Sequence, residues 1–195
     1  MIKVNSRMNK CVQEGYNYGI DYCQQGKVAD YIPELAKGKK EQLGICITDL
    51  EGNQYFAGDV QVKFTIQSIA KVVILATAIA DSGFETVFSR VGMEPTGDPF
   101  NSIVRLESLK RIPQNPMINA GAISTITCVT GKNLEERFLK VLNLARKLFH
   151  NPELDYDANV YLSELGTANR NRALAYMMKS NGVFDGDVEE HLKVY

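Results

Sequence analysis

The sequence predicts a mixed α/β chain of the α+β kind, a few strands near the N-terminus followed almost entirely by helices. Three observations predict it. Leu43 to Leu50 is β-branched and apolar, and Gln54 to Ala57 returns after a Glu51-Gly52-Asn53 turn, the pattern of a hairpin. Beyond Ser68, apolar residues recur at helical spacing, with helix start and stop residues between them. At 195 residues and 45% hydrophobic content, the chain can bury a core as one domain or two small lobes. Residues 1–80 are expected to form a partial sheet lobe that includes the helix after Ser68, and residues 81–195 a mainly helical lobe.

In chain order, residues 8–25 read as a first helix, weakened by Gly15 and Gly19 and stopped at Gly26. Pro33 holds Ile32 extended and can open a short turn from Glu34 to Lys37. After the hairpin, Val62 to Ile66 reads as a third strand or an extended lead-in to the next helix. That helix ends at Ser82-Gly83, and Phe84 to Val91 forms a short one. Gly92 to Ser102 holds two prolines and two glycines and is a loop. Residues 113–122 are irregular, and a helix then runs to Val129, with Asn119 as a candidate N-cap. Asn133 and Glu136 make a capping box for an amphipathic helix with the stripe Leu134, Phe138, Val141, Leu142, Ala145 and Phe149. Thr167 is a candidate cap for a helix over residues 168–180, closed by Asn181-Gly182. A last helical pattern begins near Val188 and carries the stripe Val188, Leu192 and Tyr195, which is expected to lack cover within this chain.

Composition removes several classes of function. The net charge is −1 and no long basic run occurs, which argues against nucleic acid and anionic membrane as partners. The longest apolar run, Val72 to Ala80, is too short to span a bilayer, and residues 1–5 lack the apolar core of a signal peptide. Cys11, Cys23, Cys46 and Cys128 are widely spaced, and the two histidines, His150 and His191, stand in different contexts. Neither a zinc site nor a disulfide framework is expected. Reduced thiols and a cytoplasmic location are the default, with Cys46 a small core residue.

The stretch that carries chemistry is Phe64-Thr65-Ile66-Gln67-Ser68-Ile69-Ala70-Lys71. Ser68 stands where an extended segment becomes a helix, and Lys71 follows one turn later, so hydroxyl and amine share a face. A serine hydroxyl attacks only when a base takes its proton, and lysine can be that base only if burial lowers its pKa. A following helix that is apolar nearly all round, with Ile69, Val72, Val73, Ala76 and Ala80 as one stripe, would supply the burial. Its first turn offers free N–H groups to an anion developing near Ser68. With no histidine beside a nucleophile, lysine is the obvious base. Taken alone, the same residues also fit a helix N-cap at Ser68 and a solvated Lys71.

Several further segments resemble the serine-dependent glutaminases: Gly26 to Ala36, Ile66 to Lys71, Val91 to Ser102, Asn115 to Ile123, and Ser163-Glu164 through Arg170-Asn171-Arg172-Ala173. They occur in that family's order and span essentially the whole chain. The resemblance implies a β-lactamase-like fold: a sheet flanked by helices, plus a helical lobe, with the site between them. It implies hydrolysis of L-glutamine to L-glutamate and ammonia through an acyl-enzyme, with no metal or other cofactor, in a homo-oligomer. It makes Ser68 the nucleophile, which also contacts substrate, Lys71 its base, and Tyr31 a proton-relaying hydroxyl. Asn119, Glu164, Asn171 and Tyr195 would bind substrate. The residue types suit glutamine, whose ammonium a carboxylate can pair and whose carboxylate amide N–H and tyrosine O–H groups can bond.

One departure stands out. The family continues past the position matched by Tyr195, with more helix, further strands and a Lys-Ser-Gly-like motif absent here. Those C-terminal strands of the sheet are therefore expected to be missing, and the chain to be an impaired form, since lost oxyanion donors cost several kcal/mol. A β-lactamase or peptidoglycan peptidase is the alternative enzyme, although the Ser-x-Asn or Tyr-x-Asn element it needs is not in the sequence. An inactive fragment serving as an assembly module is the alternative outside enzymology.

Overall fold

The computed structural model describes residues 6–97, 99 and 112–195. They belong to two compact units, Met1–Thr65 and Ile66–Tyr195. The division falls after Thr65 rather than near residue 80, because the helix following Ser68 packs against helices of the second unit. Asp98 and Phe100 to Ser102, part of the expected loop, lie outside the described residues.

In the first unit, helix α1 (Ser6–Ile20) lies against a two-stranded antiparallel sheet of β1 (Gly44–Thr48) and β2 (Gln54–Gly58). Val12, Met8 and Tyr16 of α1 meet Tyr55, Ala57 and Ile45, the face that strand alternation turns toward the helix. Of the glycines that weaken α1, Gly19 has a packing reason: a Cβ there would sit 3.1 Å from Leu43, whereas one on Gly15 would make ordinary contact with Ile45 at 3.7 Å. At the hairpin turn the Asp49 carboxylate accepts from the backbone N–H groups of Glu51 and Asn53, while Gly52 takes φ 83°. Cys46 pairs with Phe56 across the sheet on the opposite face, where both are exposed. The expectation of a buried Cys46 therefore fails: one face of the hairpin is covered by α1, and the cysteine alternates onto the other. Val62 to Ile66 forms no strand, and Ile66 already has helical backbone angles, φ −73° and ψ −11°. The turn expected after Pro33 is a 3-10 helix, Pro33–Lys37.

The second unit is helical among its described residues: α2 (Ala70–Ser82), α3 (Phe84–Arg90), α4 (Asn119–Ile126), α5 (Leu134–Leu148), α6 (Ala158–Thr167), α7 (Asn169–Ser180) and α8 (Val188–Val194). Helix α4 is buried along its whole length beyond Asn119 and packs on α2, α7, α8 and α3. One apolar cluster joins Ile123 of α4 to Leu174, Ala175 and Met178 of α7 and to Val188 and Leu192 of α8. A second joins Ile74 and Ala78 of α2 to Val87, Val91, Ile126, Val129 and Val194.

Three sequence expectations change here. The buried face of α2 is Lys71, Val73, Ile74, Thr77 and Ala78, whereas Ile69 and Val72 are each 55% exposed. A helix apolar nearly all round has no unique stripe, and contact with α4 decides which side is covered. Val188 and Leu192 are covered after all, by α4 and α7. Thr167 ends α6 rather than capping α7, its hydroxyl donating to the Ser163 carbonyl at 2.9 Å; Asp157 starts α6 by accepting from Asn159 and Val160. Half of the capping box is as expected: Asn133 accepts from the Glu136 N–H at 2.8 Å, while the Glu136 carboxylate reaches past the cap to the Lys132 N–H.

Gly121 fixes where α4 begins. A methyl group at this position would overlap the backbone carbonyl of Asn115, which cannot swing aside as a side chain can. In an open helix Gly→Ala stabilises by about 1 kcal/mol. Here Gly121→Ala should instead destabilise by about 1–3 kcal/mol through overpacking. Thermal unfolding of the variant checks the sign, and a raised melting temperature would contradict this close approach.

Candidate active site

Ser68 lies in a 3-10 turn, Gln67–Ile69, that runs directly into α2. Gln67 has φ 45°, in the left-handed region that side chains other than glycine rarely adopt. Strain of this kind, worth about 1–3 kcal/mol, persists where surrounding structure holds it, and it is often found beside reacting groups. Ser68 caps neither the turn nor the helix: Ile66 and Ile69 occupy the cap positions, with no side-chain cap hydrogen bond. Its side chain is exposed. Both halves of the plain structural reading therefore fail, because Lys71 is not solvated either and is only 3% exposed.

The Lys71 amine donates to Oδ1 of Asn119 at 2.7 Å. Asn119 is the first residue of α4 and not its N-cap; Ile118 holds that position in an extended conformation. The turn is made by Asn115, whose Oδ1 accepts from the N–H groups of Met117 and Ile118 at 3.0 and 3.3 Å. That leaves the Asn119 side chain available for Lys71. Its orientation is fixed from the other side, since Nδ2 donates to Oδ1 of Asn171 in the first turn of α7 at 3.1 Å. Glu164, half-buried on α6, is electrostatically coupled to Lys71.

Burial dominates the electrostatics. It pushes the Lys71 ammonium below the ordinary lysine range, and the Glu164 carboxylate pulls it partly back. Burial likewise raises the Glu164 carboxyl, opposed by Lys71. Each group is driven toward its neutral form, the condition in which an amine can accept a proton and a carboxyl can give one. The arrangement suits deprotonation of a hydroxyl in the 3-10 turn just before α2, and bonding of a polar ligand through amide and carboxyl groups.

Of the residues singled out in the sequence, the structure gathers Lys71, Asn119, Asn171 and Glu164 from α2, α4, α7 and α6, with Ser68 at the head of α2. Tyr195 follows α8 and is half-buried, packed against both apolar clusters. Tyr31 belongs to the first unit, just before the 3-10 helix at Pro33, and is 67% exposed. Two contributors were missed. Asn115 had a legible signal, an asparagine shortly before a helix with a proline after it. The left-handed backbone of Gln67 had none, since no glycine marks it.

A protein-family model described as Glutaminase matches residues 26–195. The chain is similar to a glutaminase from Clostridium botulinum (strain Loch Maree / Type A3), 51% identical over 189 residues, covering 96% of this chain and 62% of the relative. It is also similar to glutaminase 2 from Clostridium perfringens (strain 13 / Type A), 52% identical, covering 89% and 57%. The chain thus spans about three-fifths of the length of these curated relatives. Among solved structures, the probable glutaminase ybaS superposes with a TM-score of 0.88 at 32% identity, covering 98% of this chain and 62% of that one. A probable glutaminase from Bacillus subtilis, complexed with 6-diazo-5-oxo-L-norleucine, gives 0.85 at 33% identity, covering 100% and 58%.

The lowered Lys71 pKa has a signed consequence. Its folded value lies below its unfolded one, so its contribution to stability is complete above the ordinary lysine pKa and is lost as pH falls through the folded value. Glu164→Gln removes the charge that holds the ammonium up, and should move the Lys71 titration further down. Titration of a 13C-labelled Lys71 side chain by NMR checks this, and an upward or absent shift would contradict the coupling.

Proposed function

The chain belongs to the glutaminase family, and from that premise we propose that it carries the Ser–Lys part of a site hydrolysing L-glutamine to L-glutamate and ammonia. The observation that carries this reading is the buried Lys71 amine, bonded to Asn119 one helical turn after Ser68. Neutral Lys71 takes the proton of Ser68, and the freed Oγ attacks the side-chain amide carbon of glutamine. The negative charge passes to the amide oxygen, facing the N-terminal end of the turn and helix that carry Ser68. As the tetrahedral intermediate collapses, the carbon–nitrogen bond breaks and the proton held by Lys71 goes to the departing amine. Ammonia leaves a γ-glutamyl ester on Ser68. Water then attacks this ester, Lys71 again accepting the proton and returning it to Ser68 Oγ as glutamate is released.

Recognition follows from the same groups. Glu164 pairs the substrate ammonium, a charge-assisted contact worth about 1.5–3 kcal/mol. Asn119, Asn171 and Tyr195 donate to the substrate carboxylate. A cytoplasmic setting is supported by the four free cysteines. Assembly with further copies of the chain is supported by the exposed apolar side chains Phe56, Ile69 and Val72.

The Bacillus subtilis glutaminase YbgJ forms a covalent complex with 5-oxo-L-norleucine on reaction with 6-diazo-5-oxo-L-norleucine. The same reagent tests this chain. Intact mass and peptide mapping should find one 5-oxo-L-norleucine adduct, on Ser68, and none in Ser68→Ala. Labelling should slow by about 10²–10⁴-fold in Lys71→Arg, because arginine stays protonated and cannot act as base. An adduct elsewhere, or an unchanged rate in Lys71→Arg, would overturn the assignment. Acylation of Ser68 by a β-lactam in its place would favour a peptidoglycan-directed enzyme.

A further inference from the structure

Arg137 and His191 form a buried polar centre that the glutamine chemistry above does not use. Arg137, on α5, is 8% exposed. Its Nε donates to the Val129 carbonyl at 3.0 Å, and one Nη donates to the Ile126 carbonyl at 2.9 Å and to Nδ1 of His191 at 3.0 Å. The two carbonyls lie at and just beyond the C-terminal end of α4, the negative pole of its dipole, so a cation is welcome there. Arginine can only donate, which makes Nδ1 of His191 an acceptor and leaves the ring proton on Nε2. That proton goes to the Asp185 carbonyl, 3.0 Å away. Both ring nitrogens are therefore committed to one neutral tautomer. The ring is closed in by Phe184, edge-on at 5.4 Å, and by Gly186 at φ 97°, where a Cβ would approach Nε2 to 3.0 Å.

We infer that the Arg137–His191 pair is an acid-sensitive latch: neutral His191 docks α8 on α4 and α5, and protonation of its ring releases α8. Adding a proton turns the Nδ1 acceptor into a donor that faces the guanidinium, setting two cations at hydrogen-bond distance with no acceptor between them. The charged groups acting on the ring come from α5 and from the start of α8. Arg137 faces it from α5, and Asp187 and Glu190 from the start of α8, while Lys179 of α7 donates to the Gly186 carbonyl at 2.7 Å. Helix α4 presents only carbonyls to Arg137. Burial holds the His191 pKa below the ordinary histidine value, and Arg137 acts in the same direction. The Asp185 carbonyl and the carboxylates Glu190 and Asp187 oppose them without prevailing. A folded pKa below the unfolded one means that this contribution is complete above the ordinary histidine value. It is lost as pH falls through the folded one. Tyr195 goes with the helix, since its N–H is bonded to the His191 carbonyl at 3.0 Å. The latch is independent of the glutaminase reading, because it rests on packing alone.

The chain has two histidines, His150 and His191, and loss of a ring signal in His191→Asn assigns the His191 one. Their ring signals should be followed by NMR between about pH 8 and pH 5, with amide exchange and thermal melts on the same samples. His191 should titrate below the ordinary histidine value of about 6.5, and Arg137→Met should bring it back up. Exchange of α8 amides should accelerate relative to α5 as His191 gains its proton. The melting temperature should fall on acidification by roughly 3–5 °C more than in His191→Asn, for each pH unit by which His191 titrates below the ordinary histidine value. His191 titrating at or above the ordinary histidine value overturns the inference, and needs no variant to be seen. So does an α8 that stays as protected as α5 once His191 is protonated, or an equal fall in melting temperature in His191→Asn.

Discussion

The amine of Lys71, taken out of water at the head of α2 and bonded to Asn119, is the constraint on which the rest of the second unit depends. An unpaired ammonium in such a place would cost several kcal/mol, so it needs both an acceptor and a compensating charge. The acceptor comes from α4 and is oriented by α7 through Asn171; the charge comes from α6 through Glu164. Each of these helices has to arrive at the right depth. The apolar cluster of Ile123, Leu174, Met178 and Leu192 holds α4, α7 and α8 together and so fixes where the amides stand.

Helix α4 is the element through which these demands meet. Its N-terminal residue holds Lys71, its glycine at 121 slides past the Asn115 backbone, and its C-terminal carbonyls receive Arg137. It is short, and buried throughout beyond Asn119. Polar side chains at both of its ends are satisfied by other helices, and buried Thr125 bonds back to the Gly121 carbonyl. A polar group left unmatched in such surroundings would be expensive, which is why single atoms of Asn119 and Arg137 carry so much of the arrangement.

Much of this was legible in the residues, and the failures share a cause. Asn133 with Glu136 announced α5, and Glu51-Gly52-Asn53 announced the hairpin, because caps and turns are local chemistry. The glutaminase motifs picked out Lys71, Asn119, Glu164 and Asn171, whose convergence no periodicity could have given. Local patterns did not tell which side of α2 would be covered, that Cys46 would face outward, or that α8 would find cover from α4 and α7. Those are decided by tertiary partners. Asn119 shows both sides of this: as a local signal it read as an N-cap, but Ile118 holds that position and the Asn119 side chain accepts from Lys71.

The central claim is that burial tunes Lys71 to act as the base for Ser68. The most direct measurement is the rate at which an activated γ-glutamyl ester acylates Ser68, followed as a function of pH. The account predicts one rising step whose midpoint coincides with the titration of Lys71 itself and lies below the ordinary lysine value of about 10.4. A rate that ignores pH, or that rises only at the ordinary lysine value, would contradict it.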